Sequence, residues 1–400
     1  MKLVIIKKWY LNSILLIIMV LVVLMFFSWK FDFDWQVNST GYFIRDEFPP
    51  LVFLPKCELG PRITANASVL LETKSGMVIY TKNSELRRAP ASTTKMMTAI
   101  VALEKGRLNQ EIKVSRLAAG TPGSSIYLRS GERLTLKQLL TGMMLQSGND
   151  GSIAVAEGVA GSMDDFVKLM NLKAKEIGAL KTNFRNPHGL RAPSHYTTAL
   201  DLALIARYGL SNPHFARLVK QRQAVLEWIE GRAGKVEIKN TNRLLWYLEG
   251  ADGVKTGTTN EAGKCLVASA TRYGKQFIAV VLNSPDRWGD CARLLEYGFQ
   301  GFTTVKIANQ QESVGQLPVI NGAQATVELY PRVDLTAEVR KGEEKLIIRK
   351  ISIFSPELTA PVRVGQVLGK IGYEYQGQFV AGVDLIAKKP IRRLRRWFWW

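Results

Sequence analysis

The sequence has 400 residues, 46% of them hydrophobic and 22% charged, a balance that excludes an extensively disordered chain. Its formal net charge of +20 favours a polyanionic partner. No nucleic-acid-binding module is recognisable, so anionic lipid or an acidic wall polymer is the better candidate. The cysteines form no Cys-x-x-Cys pair, which argues against a disulfide scaffold and a zinc site. A single disulfide, formed outside the cytoplasm, is the alternative, but three free thiols without a chemical role are favoured for Cys57, Cys265 and Cys291.

A membrane-spanning segment is predicted near the N-terminus. Residues 9–29 carry no charge, and a helix rising about 1.5 Å per residue over this length crosses a hydrocarbon core of about 30 Å. Lysines within residues 1–8 place the N-terminus in the cytoplasm, and residues 30–61 are interpreted as a linker. A cleaved signal peptide is the alternative, but no Ala-x-Ala site follows the apolar stretch. We therefore expect a single-pass cell-membrane protein of bacterial type whose remaining domains lie outside the cytoplasm.

Residues 62–303 show a mixed pattern of strands and helices. Turn residues between apolar runs predict two hairpins, over 67–82 and 265–282. Apolar periodicity and helix-capping residues predict helices over 92–105, 136–145, 153–159, 164–177, 197–208 and 290–297. Because the strands fall at both ends of this region, the expected fold is α/β, with an antiparallel sheet built from distant segments and flanked by helices.

The C-terminal part changes character twice. Residues 304–387 contain short alternating apolar runs punctuated by glycines, which predict a small all-β domain. Residues 388–400 combine six lysines and arginines with a terminal Trp-Phe-Trp-Trp. A helix over this tail separates apolar from basic side chains, a pattern typical of segments at an anionic lipid surface. A solvated basic tail is the alternative, but the exposed tryptophans favour membrane contact.

Three short motifs carry the candidate chemistry. Ser92-Thr93-Thr94-Lys95 is the only Ser-x-x-Lys in the chain; on a helix the lysine amine can reach the serine hydroxyl and take its proton. Ser147-Gly148-Asn149 is expected in a turn between two helices, and Lys255-Thr256-Gly257 on an edge strand. Each motif alone is weak evidence, because a capping residue or a surface strand explains it equally well. Together and in this order they form the set described for penicillin-binding proteins and serine β-lactamases.

The sequence around these motifs resembles the D-alanyl-D-alanine carboxypeptidases, the low-molecular-mass penicillin-binding proteins. The similarity covers about residues 62–303 and extends more weakly across the small β domain. It rests on the stretches 89–95, 145–150, 186–190, 195–201 and 253–259. The resemblance implies a β-lactamase/transpeptidase-like fold, peptidoglycan stem peptides as substrates and β-lactam antibiotics as inhibitors. It implies no cofactor and no metal.

The resemblance also implies catalytic roles for three side chains, Ser92, Lys95 and Ser147, and a substrate-binding role for Asn149. Ser92 attacks the carbonyl of the penultimate D-alanine and forms an acyl-enzyme, with Lys95 as the proton acceptor. Ser147 passes the proton toward the leaving amine, and Asn149 holds the substrate amide. The backbone N–H groups of Ser92 and Thr258 form the oxyanion hole.

The remaining expected site residues bind the substrate. Lys255 keeps the site positive and Lys95 deprotonated, and Thr256 contacts the terminal carboxylate, with Gly257 completing the motif. Arg287 stands where the family often has a basic residue that binds this carboxylate, although an ordinary surface arginine is an equally good interpretation. His188 is expected to be structural, because the chemistry already has its base.

Alternative functions remain open on the sequence alone. A D,D-endopeptidase that cleaves peptidoglycan cross-links uses the same bond chemistry. A β-lactamase needs a carboxylate that activates water, and residues 151–254 contain no Glu-x-x-x-Asn to provide it. A non-enzymatic wall scaffold predicts broken motifs, yet all three motifs are intact. The carboxypeptidase, held at the outer surface of the cytoplasmic membrane and without a nucleic-acid partner, is therefore the favoured hypothesis.

Overall fold

The computed structural model describes residues 51–55 and 59–394, all of which lie within one unit, residues 48–400. Its strands and helices follow one another largely in the order that the sequence predicted. The strands are β1 Val52–Phe53, β2 Ala67–Glu72, β3 Met77–Lys82, β4 Glu111–Lys113, β5 Arg133–Thr135, β6 Gln223–Glu227, β7 Lys235–Lys239, β8 Ala251–Thr259, β9 Gly263–Arg272, β10 Lys275–Leu282, β11 Phe302–Ala308, β12 Gly315–Ile320, β13 Thr326–Pro331, β14 Leu335–Arg340, β15 Ile347–Ile353, β16 Leu358–Thr359, β17 Val367–Tyr375 and β18 Gln378–Ala387. The helices are α1 Lys95–Lys105, α2 Arg116–Ala119, α3 Leu136–Leu145, α4 Asn149–Ala160, α5 Met163–Ile177, α6 Ala199–Ser211, α7 Pro213–Lys220, α8 Leu244–Tyr247 and α9 Arg287–Gly301. Short 3-10 turns span Ala91–Thr94 and Glu344–Leu346.

The two predicted hairpins meet in one six-stranded sheet of order β1-β3-β2-β10-β9-β8. Strand β2 pairs antiparallel with β10, although more than 190 positions separate them; the pairing runs from Ala67 opposite Leu282 to Glu72 opposite Phe277. The α/β fold with an antiparallel sheet built from distant segments is therefore confirmed. Strand β8 lies at the edge, which is where the sequence placed Lys255-Thr256-Gly257.

Alternate residues of the middle strands enter two different cores. In β2, Val69 and Leu71 pack in the core that includes α1, whereas Leu70 packs in the core that includes α9. Every residue of β2 is buried, which explains its continuous apolar run. Helices therefore cover both faces of the sheet, and its open edge is left for the motif on β8.

The predicted helix over 92–105 is divided into two parts. A 3-10 turn over Ala91–Thr94 precedes α1, which begins at Lys95 and ends at Lys105, before Gly106. Ala91 has φ +49°, in the left-handed region that residues other than glycine adopt at a conformational cost. The predicted α-helical start at Ser92 was thus wrong by one turn, because the chain bends sharply before the serine.

The other predicted helices are all present, with bounds up to four residues from those predicted, while several shorter elements were missed. Helix α3 has the predicted bounds, and α5 starts one residue earlier, where the Ser162 hydroxyl accepts a hydrogen bond from the Asp165 N–H. The hairpin of β6 and β7 was not predicted, since each of its strands buries only one side chain, Leu226 in β6 and Ile238 in β7.

A second six-stranded sheet forms the all-β part that the sequence predicted, with the order β15-β17-β18-β13-β12-β16. Strands β11 and β14 pair separately, and Lys275 of β10 donates to Glu338 of β14 at 2.7 Å. The predicted domain boundary between residues 303 and 304 lies within β11. The α/β region and the β-rich region are therefore joined by a strand and by an ion pair whose carboxylate is buried.

Several predictions fall on residues that the structure does not describe. The membrane segment 9–29, most of the linker, Cys57 and the end of the tail lie outside residues 51–55 and 59–394. Within those residues, no helix combines the length and apolar character needed to span a bilayer. Cys265 and Cys291 are buried free thiols.

Candidate active site

The Ser-x-x-Lys motif lies where the 3-10 turn passes into α1. Lys95 Nζ lies 3.1 Å from Ser92 Oγ. The lysine is completely buried, whereas Ser92 is half-buried and reaches the surface. The spacing predicted from the sequence therefore places amine and hydroxyl in hydrogen-bonding contact.

Lys95 has two further partners, and both accept hydrogen bonds. Its Nζ donates to Asn149 Oδ1 at 2.7 Å and to the backbone oxygen of His188 at 2.8 Å. A neutral amine has two N–H groups and one lone pair. If the two N–H groups serve Asn149 and His188, the lone pair is left for the Ser92 hydroxyl proton. This arrangement suits a general base.

Burial also favours the neutral amine. Desolvation, followed by the charge of Lys255, holds the pKa of Lys95 well below its ordinary value, and only Asp150 opposes this shift. A lysine with a lowered pKa can accept the proton of a serine near neutral pH.

The Ser-Gly-Asn motif lies at the predicted connection between α3 and α4, with Ser147 and Gly148 in the turn and Asn149 as the first residue of α4. Asn149 is fixed by three hydrogen bonds: Oδ1 accepts from Lys95, Nδ2 donates to Pro122 O at 2.7 Å, and its N–H donates to Ser124 O at 2.7 Å. Ser147 adopts φ +63° and is 7% exposed. Its hydroxyl makes no hydrogen bond to the residues that the structure describes, so it is free to exchange a proton with a substrate.

The Lys-Thr-Gly motif lies on edge strand β8. Lys255 is 1% exposed, and its Nζ donates to Thr256 O at 3.2 Å. Burial, reinforced by the charge of Arg287, lowers the pKa of Lys255 to about 7. The Thr256 hydroxyl lies 2.8 Å from that of Thr241. The strand therefore supplies a buried cation and a hydroxyl beside the serine.

Two glycines allow the backbone to approach the serine closely. A Cβ at Gly257 would lie 2.9 Å from the Ser92 N and 3.0 Å from Ala91 Cβ. A Cβ at Gly189, which has φ +92°, would lie 1.9 Å from Ala91 O. Strand β8 and the loop around Gly189 thus enclose the reactive turn from two sides.

Arg287 lies at the same strand. Its Nη1 donates to Gly257 O at 3.0 Å and to Thr258 Oγ1 at 2.7 Å, and its guanidinium stacks on Trp288 at 4.7 Å. Arg287 Nε is buried and has no partner among the described residues. The structure therefore brings this side chain to the end of β8 that holds the motif.

Sequence reasoning missed Asp150, which is completely buried. Its carboxylate accepts hydrogen bonds from Ser125 Oγ at 2.6 Å and from the N–H of Leu128 at 3.0 Å. It holds the preceding loop against Asn149. The Asn149-Asp150 pair at a helix start was the available signal, since carboxylates favour helix N-termini.

His188 contributes its backbone rather than its ring. The imidazole Nδ1 accepts from the Leu190 N–H at 3.1 Å, and burial, followed by the charge of Lys95, lowers the pKa of His188 to about 3. The ring is therefore neutral and structural, while its carbonyl holds Lys95. Among residues 51–55 and 59–394 no group of three or more His, Cys, Asp or Glu side chains is arranged to hold a metal ion.

Comparisons with known proteins agree with this geometry. Residues 55–286 match the D-alanyl-D-alanine carboxypeptidase family, and residues 302–393 match the C-terminal domain of penicillin-binding protein 5. The chain is 36% identical over 337 residues to D-alanyl-D-alanine carboxypeptidase DacF of Bacillus subtilis, covering 82% of this chain and 86% of that protein. It is 33% identical over 360 residues to DacC of Escherichia coli, covering 86% of this chain and 88% of that protein.

Solved structures show the same relationship. Penicillin-binding protein 5 of Haemophilus influenzae superposes with a TM-score of 0.76 at 29% identity, covering 84% of this chain and 99% of that chain. A mutant of the Streptomyces K15 DD-transpeptidase superposes with a TM-score of 0.58 at 32% identity, covering 60% of this chain and 99% of that chain. The resemblance inferred from the motifs is confirmed, and the chain belongs to the D-alanyl-D-alanine carboxypeptidase family.

Proposed function

We propose that the protein is a serine-type D,D-carboxypeptidase that removes the terminal D-alanine from peptidoglycan stem pentapeptides through a Ser92 acyl-enzyme. The observation that carries this proposal is the set of contacts around Lys95. A buried amine with a lowered pKa has two backbone or amide acceptors and one serine hydroxyl within reach. The family membership and the names of the relatives support the same activity.

The proposed reaction proceeds in two halves. Lys95 takes the Ser92 proton as Oγ bonds to the penultimate carbonyl carbon, and the tetrahedral oxyanion forms next to the N–H groups of Ser92 and Thr258. The C–N bond then breaks, and the leaving D-alanine amine receives a proton through Ser147. Water next attacks the ester carbonyl and gives its proton to Lys95. The acid product leaves and the Ser92 hydroxyl is restored.

One end of the site is cationic and can bind the carboxylate of the substrate. Lys255, Thr256 and Arg287 lie along β8 and its flank, so the terminal carboxylate is placed there, with its acyl side toward Asn149. In a β-lactam, the carboxylate and the reactive carbonyl are placed relative to each other much as they are in the peptide substrate. We therefore expect β-lactams to acylate Ser92.

Release of D-alanine tests the activity directly. The purified full-length chain is incubated with a pentapeptide stem and, separately, with a cross-linked dimer, and free D-alanine and monomeric products are measured. A carboxypeptidase releases D-alanine from the pentapeptide and Ser92→Ala abolishes the release. Cleavage of the dimer alone would instead assign an endopeptidase, and no product from either would contradict an enzyme function.

The same proposal includes attachment at the outer surface of the cytoplasmic membrane. It is supported by the uncharged segment 9–29 and by the basic and aromatic composition of residues 388–400. In cell fractions, the chain is expected in the membrane pellet after a high-salt wash, with the catalytic region accessible to protease from outside. Recovery in the supernatant with an intact N-terminus would contradict the anchor.

A further inference from the structure

The loop before α3 presents an aromatic side chain to solvent on a strained backbone. Tyr127 is 79% exposed and has φ +60°. A tyrosine in the left-handed region carries a conformational cost, and an exposed ring gains nothing from burial in return. Such strain is retained where surrounding contacts impose it, and it concentrates at functional sites.

A second exposed tyrosine, Tyr273, has a left-handed backbone that its turn explains. Tyr273 is fully exposed with φ +51°, and it lies with Gly274, φ +75°, between β9 and β10. Two successive left-handed residues are what a two-residue hairpin turn requires. Tyr127 lies in no such turn, so its conformation needs another explanation.

Contacts from the active site hold the backbone around Tyr127. The Tyr127 N–H donates to Ser125 Oγ at 2.8 Å, and that hydroxyl donates to Asp150 at 2.6 Å. The N–H groups on either side of it, of Ile126 and Leu128, donate to the same carboxylate at 3.1 and 3.0 Å. The buried Asp150 thus fixes the loop at three points.

A second clamp comes from the hairpin of β6 and β7. Arg232 Nη2 donates to Tyr127 O, and its Nε donates to Glu132 Oε1 at 3.1 Å. Glu132 is 2% exposed and also accepts from Trp228 Nε1 at 2.9 Å, while the Arg232 guanidinium stacks on the Trp228 ring at 4.2 Å. The exposed ring therefore stands on a loop held rigidly from both sides.

The position of this loop indicates what the ring meets. A series of contacts connects β8 to this loop. Gly257 of β8 lies against the Ser92 backbone, and Lys95 contacts both Ser92 and Asn149. Asn149 in turn donates hydrogen bonds to the Pro122 and Ser124 carbonyls of the loop. Arg287 and the expected carboxylate position lie at the β8 end. The loop that carries Tyr127 is therefore joined to the Asn149 side of the site, and we expect the acyl side of a bound stem peptide to extend toward it.

We propose that Tyr127 is a specificity-determining residue that packs its ring against the aliphatic side chain of the third stem residue, directly upstream of the penultimate D-alanine. The proposal rests on the proposed function. An aromatic ring suits this role because its face packs on methylene groups while its hydroxyl stays in water. A rigid loop that is already in place loses little conformational freedom when the substrate binds.

The test compares two substrates, a pentapeptide stem and N-acetyl-D-alanyl-D-alanine, which lacks the third residue. In Tyr127→Gly, kcat/KM for the stem falls about tenfold, chiefly through KM, and the ratio of the two kcat/KM values falls with it. Thermal stability stays the same or rises, since glycine adopts this backbone conformation without strain. Tyr127→Phe retains the stem preference. Tyr273→Gly, a matched exposed tyrosine in a remote turn, changes neither substrate.

The possible outcomes separate the two proposals. An unchanged ratio in Tyr127→Gly, or an equal loss on both substrates together with a lower melting temperature, would overturn the role of Tyr127 and leave the carboxypeptidase standing. If the wild-type chain releases D-alanine from neither substrate, the proposed function fails and this inference fails with it.

Discussion

Lysine amines contact buried polar groups in two regions of the molecule, with different partners. At the reactive serine, Lys95 and Lys255 are 0% and 1% exposed, and neither forms a salt bridge with any carboxylate that the structure describes. At the junction of β10 and β14, Lys275 donates to Glu338, which is 2% exposed and also accepts from Thr304 Oγ1 at 2.5 Å. One region buries two lysine amines near each other without a counter-ion, and the other pairs a partly exposed lysine with a buried carboxylate.

The difference distinguishes lysines that serve catalysis from a lysine that stabilises the fold. The neighbouring charge of Lys255 and the lack of a counter-ion add to burial in lowering the pKa of Lys95, which favours the neutral amine that a base requires. A matched pair keeps both charges and joins two parts of the fold, and removing one partner leaves a buried charge uncompensated. Four substitutions test this contrast, from the largest expected effect to the smallest.

Removing the base has the largest expected effect. In Lys95→Ala, acylation by a labelled penicillin slows by about 10²–10⁴-fold, the range expected for loss of a positioned general base. Stability does not fall in proportion, because the lysine is buried without a counter-ion. Stopped-flow labelling and urea unfolding measure the two quantities on the same preparation. A loss smaller than about tenfold would exclude Lys95 as the base.

At the junction the expected effect is on stability. In Lys275→Met the free energy of unfolding falls by about 3–5 kcal/mol, because Glu338 remains buried without its partner. The double variant Lys275→Met with Glu338→Leu recovers most of this loss, and the acylation rate of the folded protein is unchanged in both. Chemical denaturation checks the first claim. Equal destabilisation of single and double variants would contradict this reason, because the loss would then not come from the unpaired Glu338 carboxylate.

The charge of Lys255 is expected to set the pH dependence of acylation. The pKa of Lys95 is lowered by burial first and by this charge second, so Lys255→Met raises it. Because the base acts in its neutral form, the acid limb of the pH–rate profile moves to higher pH. In the wild type, the charge of Lys255 is lost as the pH rises through about 7, and we expect this loss to produce an alkaline limb in the pH–rate profile. The variant lacks this limb. The exposed Lys264 provides the control: Lys264→Met leaves both limbs in place.

The smallest of the four effects is expected at Arg287. In Arg287→Gln, KM for a peptide with a free C-terminal carboxylate rises about tenfold, the loss expected for one charge-assisted hydrogen bond. A peptide amide of the same sequence is affected much less, and Arg287→Lys is intermediate. Steady-state kinetics on the acid and the amide provide the comparison. Equal changes for both would assign the arginine to the packing of Gly257 and Thr258 instead.

The sequence predicted the elements whose pattern is local. Helix α3 and the two hairpins follow from apolar periodicity and turn residues, and Ser147 and the Lys-Thr-Gly motif fall in the expected interhelical loop and on the expected edge strand. The bend before Ser92 was missed because the left-handed Ala91 leaves no compositional trace. The bond from Lys95 to the His188 carbonyl joins residues 93 positions apart through a backbone atom that every residue has. The clamps on Tyr127 likewise depend on partners that only the folded chain brings together.

Location of the acyl group tests the central claim most directly. The full-length chain is trapped with penicillin, digested and analysed by peptide mass spectrometry, and the same is done after preincubation with a pentapeptide stem. We predict one adduct, on the peptide that contains Ser92, reduced by the stem and absent from Ser92→Ala. An adduct on Ser147 or any other residue, or no adduct from a folded protein, would contradict the proposed site.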